Sequence, residues 1–176
     1  MRQTSIHHII LIGFMGTGKT SVGKCLATAM GRAFIDTDNE VERKSGKSIN
    51  AIFAEDGETH FRKLETETLH FLAILSEPHV IATGGGIAVN KENIPLLQAL
   101  GWVVALTASE AELIRRLRDA SNRPLLLENA EQKVYDLLQV RRDSYKCADW
   151  TMDTTGRTVE EISTSIRVRY EQEFYV

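Results

Sequence analysis

The segment from Gly13 to Thr20 constrains the fold of this chain more than any other feature. It reads Gly-Phe-Met-Gly-Thr-Gly-Lys-Thr and matches the pattern G-x-x-x-x-G-K-[ST]. An apolar run at residues 8–12 precedes it and a stretch of helical periodicity follows at residues 20–30, which is the strand, loop and helix context that a phosphate-binding loop requires. An ordinary glycine-rich turn does not explain Lys19 and Thr20 at this spacing. The segment therefore predicts an α/β fold that binds ATP or GTP with Mg²⁺.

The chemistry expected of this loop follows from its residue types. Glycines let the backbone curl so that successive N–H groups point at phosphate oxygens. Lys19 is expected to reach the β- and γ-phosphates and Thr20 to ligate Mg²⁺. The predicted nucleotide-binding residues of the loop are Gly16, Thr17, Gly18, Lys19, Thr20 and Ser21. The loop alone does not distinguish a kinase from a hydrolytic switch or a motor.

Short apolar runs alternate with stretches of helical periodicity along the rest of the chain, as in a parallel sheet covered on both faces. The predicted strands are residues 8–12, 33–36, 79–83, 102–107 and 150–153. Helices are expected between them, including an inserted helical region at residues 39–44, 48–55 and 58–75. The pattern predicts a three-layer sandwich with a five-stranded parallel sheet.

Local signals place several helix ends. Gly31 is a plausible C-terminal glycine for the first helix, because glycine accepts the left-handed conformation that ends many helices. Ser109 with Glu112, and Thr158 with Glu161, fit the capping box that opens a helix. The polar segment at residues 118–128 contains Asn-Arg-Pro at residues 122–124 and lacks clear periodicity. It is predicted to be an exposed, mobile loop.

Composition sets the broad class of the protein. The 176 residues are 43% hydrophobic and 26% charged with a net charge of −3, which suits a single soluble domain without a nucleic-acid partner. The longest apolar runs have about five residues, whereas a membrane span needs roughly 20. With no export signal in the sequence, we expect a cytoplasmic protein without a membrane partner, in which Cys25 and Cys147 are structural thiols.

Two carboxylates follow the second predicted strand. Asp36 and Asp38 are two residues apart on an extended segment, so their side chains project to the same side, and ligands bind at the carboxyl ends of parallel strands. One could hold Mg²⁺-bound water while the other accepts a hydrogen bond from an attacking hydroxyl. The alternative is that Asp38 caps the next helix and Asp36 is a turn residue.

Further along, Arg62 and Glu65 are three residues apart, and a helix places them on one face, where they can form an ordinary surface ion pair. The third strand runs into Gly84-Gly85-Gly86. These glycines can form a loose turn, or their backbone can approach a ligand closely and offer N–H donors.

Several motifs together resemble the shikimate kinase family, in order and at matching spacing. They are GFMGTGKTSVG, FIDTDNEVERKSG, INAIFAEDGETHFRKLE, VIATGGGIAV, NRPLL and an arginine-rich helix end before Tyr145. The resemblance implies a P-loop kinase with a helical substrate-binding subregion at about residues 37–75 and a mobile lid at about residues 118–128. It implies transfer of the γ-phosphoryl group of ATP to the 3-hydroxyl of shikimate, which leads to chorismate and the aromatic amino acids. A monomer that needs Mg²⁺ is expected.

The resemblance also implies roles for residues at the acceptor end. Asp36 would help Thr20 to hold Mg²⁺, and Asp38 would contact the substrate hydroxyl as a base or orienting group. Arg62 would bind the shikimate carboxylate through two parallel hydrogen bonds, with Arg141 as the second arginine. The remaining residues expected to line the substrate pocket are Phe53, Phe61, Glu65, Gly84, Gly85 and Gly86.

At the nucleotide end, the resemblance makes Arg123 a catalytic lid arginine that closes over the phosphates. Arg116 and Arg157 match positions that flank adenine, although each could be a plain surface charge. The family pattern Arg-x-Pro-x-Tyr is altered here, since residues 141–145 read Arg-Arg-Asp-Ser-Tyr. Counting back from Tyr145 selects Arg141, but a local deletion would leave Arg142 as the functional residue.

Three other functions compete with this interpretation. A related small-molecule kinase, for example of gluconate type, would not need paired arginines around a ring carboxylate. A nucleotide-binding sensor could share the fold without turnover, although the presence of four residues argues against it: Asp36, Asp38, Lys19 and Arg123. A P-loop nucleic-acid motor would need a basic groove and a longer chain.

Overall fold

All five predicted strands are present in the computed structural model, which describes residues 8–119 and 130–175. They are β1 (His8–Gly13), β2 (Ala33–Asp36), β3 (His79–Ala82), β4 (Gly101–Thr107) and β5 (Trp150–Asp153). Every neighbouring pair is parallel, and the strand order is β2-β3-β1-β4-β5. The phosphate-binding loop thus follows the central strand, β1. Strand β2 forms one edge of the sheet and is separated from β1 by β3.

Helices fill the connections between the strands. They are α1 (Lys19–Met30), α2 (Thr37–Ser45), α3 (Ile49–Glu55), α4 (Gly57–Leu72), α5 (Asn93–Leu100), α6 (Glu110–Asp119), α7 (Ala130–Arg141) and α8 (Val159–Phe174). Two 3₁₀ turns, Ile87–Val89 and Arg142–Cys147, follow β3 and α7. The described parts of the chain contain no helix with the length and apolar character needed to cross a bilayer.

Both faces of the sheet are covered, because successive side chains of a strand point to opposite sides. On β1, Ile9 and Leu11 pack against α1 and α8. Ile10 and Ile12 pack on the other face against α4 and α5. All four side chains are fully buried, and the three-layer sandwich predicted from the sequence is confirmed.

The structure confirms some of the helix ends that were predicted from local sequence signals and corrects others. Gly31 ends α1 in the left-handed conformation, and Thr158 and Glu161 form a reciprocal capping box at the start of α8. Of the two hydrogen bonds predicted for the capping box of Ser109 and Glu112, one is present and the other is not. The Ser109 hydroxyl accepts the Glu112 N–H, but the Ser109 N–H donates to the Thr155 hydroxyl instead of the Glu112 side chain.

The inserted region between β2 and β3 consists of α2, α3 and α4, with a small apolar cluster of Val41, Ile52 and Phe61. The last of these helices ends at Leu72, earlier than the predicted residue 75. The predicted loop at residues 118–128 is wrong at its start. Buried Leu113 and Leu117 continue the helical period, so α6 extends through Asp119. Residues 120–128 lie outside the described part of the chain.

Candidate active site

The phosphate-binding loop connects β1 to α1 and is held by its own hydrogen bonds. Lys19 folds back over it, and its Nζ donates to the carbonyls of Gly13 at 2.8 Å and Phe14 at 2.9 Å. Only 8% of Lys19 is exposed. The Thr17 hydroxyl also donates to the Phe14 carbonyl. Gly16 and Gly18 have φ of +82° and +94°, which explains the glycines, because other residues rarely adopt this conformation.

Thr20 and Asp36 meet at the start of α1 and the end of β2. The Thr20 hydroxyl donates to Asp36 Oδ2 at 2.9 Å, and Asp36 Oδ1 accepts the Asp38 N–H at 3.1 Å. Asp36 therefore caps α2, the role that the sequence left open for Asp38. Oxygen donors such as these suit Mg²⁺, which usually keeps several waters and phosphate oxygens as its other ligands. Within the described residues, no group of three or more acidic, histidine or cysteine side chains forms an all-protein metal cage.

The prediction that Asp36 and Asp38 share an extended segment is wrong, because α2 begins at Thr37 and Asp38 lies in its first turn. Asp38 Oδ1 faces Gly84, the first of the glycines that follow β3. This oxygen is buried without a hydrogen-bond partner. Burial raises the pKa of Asp38 from 3.8 to about 6, with further increases from the negative charges of Asp36 and Glu65 and a decrease from Lys19. This carboxylate is therefore poised to accept a hydrogen bond.

Arg62 and Glu65 form the predicted pair on α4, but it is not a simple surface pair. Glu65 is 1% exposed, and its Oε2 accepts from Arg62 Nη1 at 2.7 Å. Burial raises the pKa of Glu65, although Arg62 opposes that rise. The other edge of the guanidinium donates to Glu58, at 3.2 Å from Nε and 2.8 Å from Nη2. Glu65 Oε1 is buried without a partner.

The three glycines after β3 bring these side chains together. A Cβ atom at Gly84 would lie 2.5 Å from Asp38 Oδ1 and 3.1 Å from Glu65 Oε1. At Gly86 it would lie 2.6 Å from Arg62 Nη1, so a larger residue would displace the guanidinium. The two carboxylate oxygens without partners and the arginine thus surround one backbone segment. Gly84 and Gly86 are therefore explained by the close packing of these side chains against their backbone.

A cavity of about 450 Å³ lies between the phosphate-binding loop and the glycines. Its lining residues are Met15, Gly16, Gly18, Lys19, Thr20, Ser21, Asp36, Asp38, Thr83, Gly85 and Arg141. Arg142 instead borders a second cavity, between α6, α7 and β4. Of the two arginines, Arg141 is therefore the one beside Lys19 and Asp38.

Several predicted site residues among those that the structure describes do not line the 450 Å³ cavity: Phe53, Phe61, Arg62, Glu65, Gly84, Gly86, Arg116 and Arg157. Phe53 and Phe61 contact each other with ring centroids 4.7 Å apart; Phe53 is 40% exposed and Phe61 is buried. Arg157 is exposed beyond β5. Arg123 lies outside the described residues.

Arg116 occupies a more constrained position than a residue expected only to flank adenine. Its Nη1 donates to the Gly16 carbonyl at 3.2 Å and to the Thr154 hydroxyl at 3.0 Å. Its Nη2 donates to the Thr154 carbonyl at 2.8 Å, and its Nε to Glu112. This side chain therefore connects α6 to the phosphate-binding loop and to the end of β5.

Sequence reasoning gave no role to two residues that hold the site in place, although Tyr145 was the reference position of the arginine motif. The Thr37 hydroxyl is fully buried and accepts the Gly84 N–H at 3.0 Å. The Tyr145 hydroxyl donates to the Gly85 carbonyl at 2.7 Å. Neither residue type carries a distinctive signal, and each contact joins segments far apart in the sequence, so no local pattern could reveal it.

Comparison with known proteins decides the family. The family described as shikimate kinase matches residues 15–171. The chain belongs to the shikimate kinase family. A shikimate kinase of Thermodesulfovibrio yellowstonii is 43% identical over 166 residues, or 94% of this chain and 95% of that protein. A second, from Geobacter metallireducens, is 42% identical over 164 residues, or 93% of this chain and 91% of that protein.

Solved structures of the family agree with this fold. The shikimate kinase of Acinetobacter baumannii in complex with shikimate has a TM-score of 0.90 at 37% identity, covering 98% of this chain and 97% of that one. A gluconokinase from Sinorhizobium meliloti has a TM-score of 0.60 at 20% identity, covering 97% of this chain and 96% of that one, a likeness in fold alone. The chain is an ATP-dependent kinase that phosphorylates a hydroxyl group of shikimate.

Proposed function

We propose that the cleft between the phosphate-binding loop and Gly84–Gly86 is where the γ-phosphoryl group of ATP passes to the 3-hydroxyl of shikimate. The observation that carries this assignment is the convergence of Asp38, Glu65 and Arg62 on the glycine backbone beside Lys19. Asp38 and the phosphate-binding loop line one cavity, which offers an acceptor for a hydroxyl beside a site for phosphate. The cation for a carboxylate, Arg62, lies against Gly86, next to the cavity-lining Gly85.

At the nucleotide end, residues 16–21 surround the phosphates, with Lys19 at the β- and γ-phosphates. Lys19 already lies over the loop carbonyls, so it needs only to exchange those contacts for phosphate oxygens. Thr20 and Asp36 would hold Mg²⁺, which would supply neutralisation of the phosphate charge. Arg116 and Arg157 are proposed to flank adenine, and Arg123 to close over the phosphates.

At the acceptor end, Asp38 receives the hydrogen bond of the substrate hydroxyl and orients its oxygen toward the γ-phosphorus. Asp38 lines the cleft, and its buried Oδ1 has no hydrogen-bond partner in the protein. A pKa of about 6 leaves Asp38 largely ionised near neutral pH, close to the range in which a side chain both accepts and releases a proton efficiently.

The substrate carboxylate is proposed to bind between Arg62 and Arg141. Glu65 fixes one nitrogen of the Arg62 guanidinium from a buried position. Glu58, which is 65% exposed, occupies the other edge and must leave when a substrate carboxylate takes the same donors. Arg141 lines the cleft together with Lys19 and Asp38.

The aromatic pair is proposed to close one side of the pocket, with exposed Phe53 as the wall and buried Phe61 as its support. We also propose that the chain works as a monomeric, cytoplasmic single domain. Its substrate-binding subregion would comprise about residues 37–75, and its lid the segment that follows α6.

The first experiment measures ADP release with Mg-ATP in a coupled assay, with shikimate, gluconate or no acceptor. We expect shikimate-dependent turnover that collapses in Asp38→Asn, and a KM for shikimate that rises strongly in Arg62→Lys, because lysine lacks the planar fork. Asp143→Asn and Arg115→Lys are matched controls, since both side chains are exposed.

Each alternative has its own outcome in this assay. ATP binding without acceptor-dependent ADP would indicate a nucleotide sensor, and gluconate-dependent ADP would indicate the related sugar-acid kinase. Full activity of Asp38→Asn with shikimate would contradict the role proposed for that carboxylate.

A further inference from the structure

Tyr145 connects two parts of the cleft through a single hydroxyl group. Its O–H donates to the Gly85 carbonyl at 2.7 Å, across 60 residues of sequence. Gly85 borders the cleft together with Arg141. We propose that Tyr145 is a positioning residue that sets the geometry of the shikimate site by fixing the glycine backbone relative to Arg141. This inference rests on the substrate contacts proposed above for Gly85 and Arg141.

The surroundings of Tyr145 hold its ring in place and keep its hydroxyl protonated. The ring packs against two apolar clusters, one on the sheet face around Ile87 and Ala88 and one around Phe14 and Leu113. Burial raises the pKa of Tyr145 to about 12, although Arg141 opposes that rise. The hydroxyl is therefore protonated near neutral pH and can donate to the Gly85 carbonyl.

Arg141 lies over the ring of Phe14, which belongs to a cluster against which Tyr145 packs. Its guanidinium carbon is 6.0 Å from the centroid of the Phe14 ring, and its side chain interacts with that of Tyr145. Tyr145 is thus the common neighbour of a glycine and an arginine that both border the cleft. A displacement of its hydroxyl would break the hydrogen bond to Gly85.

The segment that carries Tyr145 is itself anchored. The 3₁₀ turn Arg142–Cys147 follows α7 directly. Gln98 on α5 donates to the Cys147 carbonyl at 3.1 Å, and Asp149 accepts the Val103 N–H of β4 at 2.8 Å. These hydrogen bonds connect the turn and the residues after it to a helix and to a central strand. The backbone of Tyr145 is therefore held in place relative to Gly85.

Gly85 needs such an anchor because it lies in a run of three glycines, which restrict their own backbone least. A Cβ atom at Gly85 would be 3.3 Å from the Met15 backbone nitrogen, so the glycine segment lies directly against the phosphate-binding loop. Gly84 is held by Thr37, and Gly86 faces Arg62. Holding the Gly85 carbonyl therefore fixes the spacing between the acceptor side and the phosphate side of the cleft.

The test is Tyr145→Phe, which removes the hydroxyl and keeps the ring. We expect the KM for shikimate to rise roughly 2- to 12-fold, as the loss of one hydrogen bond allows. The KM for ATP should change less than about twofold, since the loop around Lys19 keeps its own hydrogen bonds. The thermal unfolding midpoint is measured in parallel.

Tyr170→Phe is the matched control. Tyr170 is buried, and its hydroxyl accepts from Arg32 at 3.0 Å, but it packs on the α1 and α8 face of the sheet. This variant should lose stability without a change in the KM for shikimate. A Tyr145→Phe enzyme that shows only a lower unfolding midpoint, or equal rises in both KM values, would overturn the proposal.

The same experiment separates this inference from the proposed substrate site. If Arg62→Lys raises the KM for shikimate and Tyr145→Phe does not, the site assignment stands and the positioning role is wrong. If neither variant affects the KM for shikimate, the site assignment itself is wrong.

Discussion

Asp38 is placed for function at a cost to the stability of the ligand-free fold. One of its oxygens is buried without a hydrogen-bond partner, and its neighbours Asp36 and Glu65 are acidic. Buried charges that lack a partner destabilise a fold. Glu65 adds a second buried carboxylate oxygen without a partner at the same place. A substrate hydroxyl group that donates a hydrogen bond to one of these oxygens would reduce this cost.

Asp38→Asn should therefore stabilise the ligand-free protein while it abolishes turnover. The folded-state pKa of about 6 lies above the ordinary value of 3.8, so the folded chain binds the Asp38 proton more tightly than the unfolded chain. The stability contributed by the protonated group is lost as the pH rises through about 6, and the asparagine variant avoids that loss. At pH 8 we expect the free energy of unfolding of the variant to exceed that of the parent by roughly 1 to 3 kcal/mol. Each kcal/mol should raise the unfolding midpoint by about 2 to 4 °C.

Thermal unfolding in EDTA without nucleotide, at pH 8 and pH 5, measures this effect. The gain should be smaller at pH 5 and absent below about pH 4, where Asp38 is protonated in both states. Asp143→Asn is the control, because this exposed aspartate pairs with Lys146, which lowers its pKa, and it should give no gain. A gain equal at both pH values would show that removal of the charge is not its cause.

At the scale of an element, α4 presents Arg62 between two competing carboxylates. Glu58 and Glu65 lie four residues before and three residues after it, so the helix itself brings both to the guanidinium. The buried Glu65 is a permanent partner, whereas Glu58 is largely exposed. A substrate carboxylate must therefore compete with Glu58 for the same N–H groups.

Glu58→Gln should lower the KM for shikimate, because the substrate no longer displaces a charged partner. Exposed ion pairs contribute about 0.2 to 1 kcal/mol, so the KM should fall at most about fivefold. Glu55→Gln is the control, since it removes the same charge from the preceding helix, where Glu55 pairs with Lys47. An unchanged KM in Glu58→Gln, or the same fall in both variants, would contradict this competition.

The elements also show where sequence reasoning worked. Strands such as residues 33–36 and 150–153 were predicted with their observed bounds, because apolar and β-branched runs between polar segments have few other interpretations. Asp36 could be found because it ends a strand, whereas the extended spacing expected for Asp38 is wrong, since Asp38 lies in the first turn of α2. For the strands and Asp36, local pattern and tertiary structure agree.

Other features depend on tertiary contacts that a local pattern does not contain. The sequence did not decide between Arg141 and Arg142, because the backbone changes from an α-helix to a 3₁₀ turn between them and neighbouring side chains lose their regular spacing. The box predicted at Ser109 failed because Thr155, far along the chain, takes the Ser109 N–H. The hydrogen bond between Tyr145 and Gly85 joins two segments that only the fold brings together.

At the scale of the whole molecule, the carboxyl edge of the sheet is held together by side chains that cross between connections. Arg116 is the main example at the nucleotide end, since it reaches from α6 to Gly16 and Thr154. Thr154 is fully buried and also donates to the Thr107 carbonyl at the end of β4. The phosphate-binding loop, α6 and the segment after β5 thus share one hydrogen-bonded network.

Arg116→Lys tests whether this network supports nucleotide binding. Lysine keeps the charge but cannot make the same set of hydrogen bonds from one planar group. We expect the free energy of unfolding to fall by about 1 to 3 kcal/mol for this partly exposed group, which lowers the unfolding midpoint. The KM for ATP should rise in the same variant. The KM for shikimate should change little, because Arg62 and Asp38 lie outside the network.

Arg115→Lys is the matched control, because Arg115 is the next residue on α6, is 62% exposed and pairs with the same Glu112. It should leave both the unfolding midpoint and the KM for ATP unchanged. If Arg116 acts only by flanking adenine, its lysine variant should raise the KM for ATP while the midpoint of the ligand-free protein stays constant. If the midpoint falls and the KM for ATP does not rise, the network supports the fold without shaping the phosphate-binding loop.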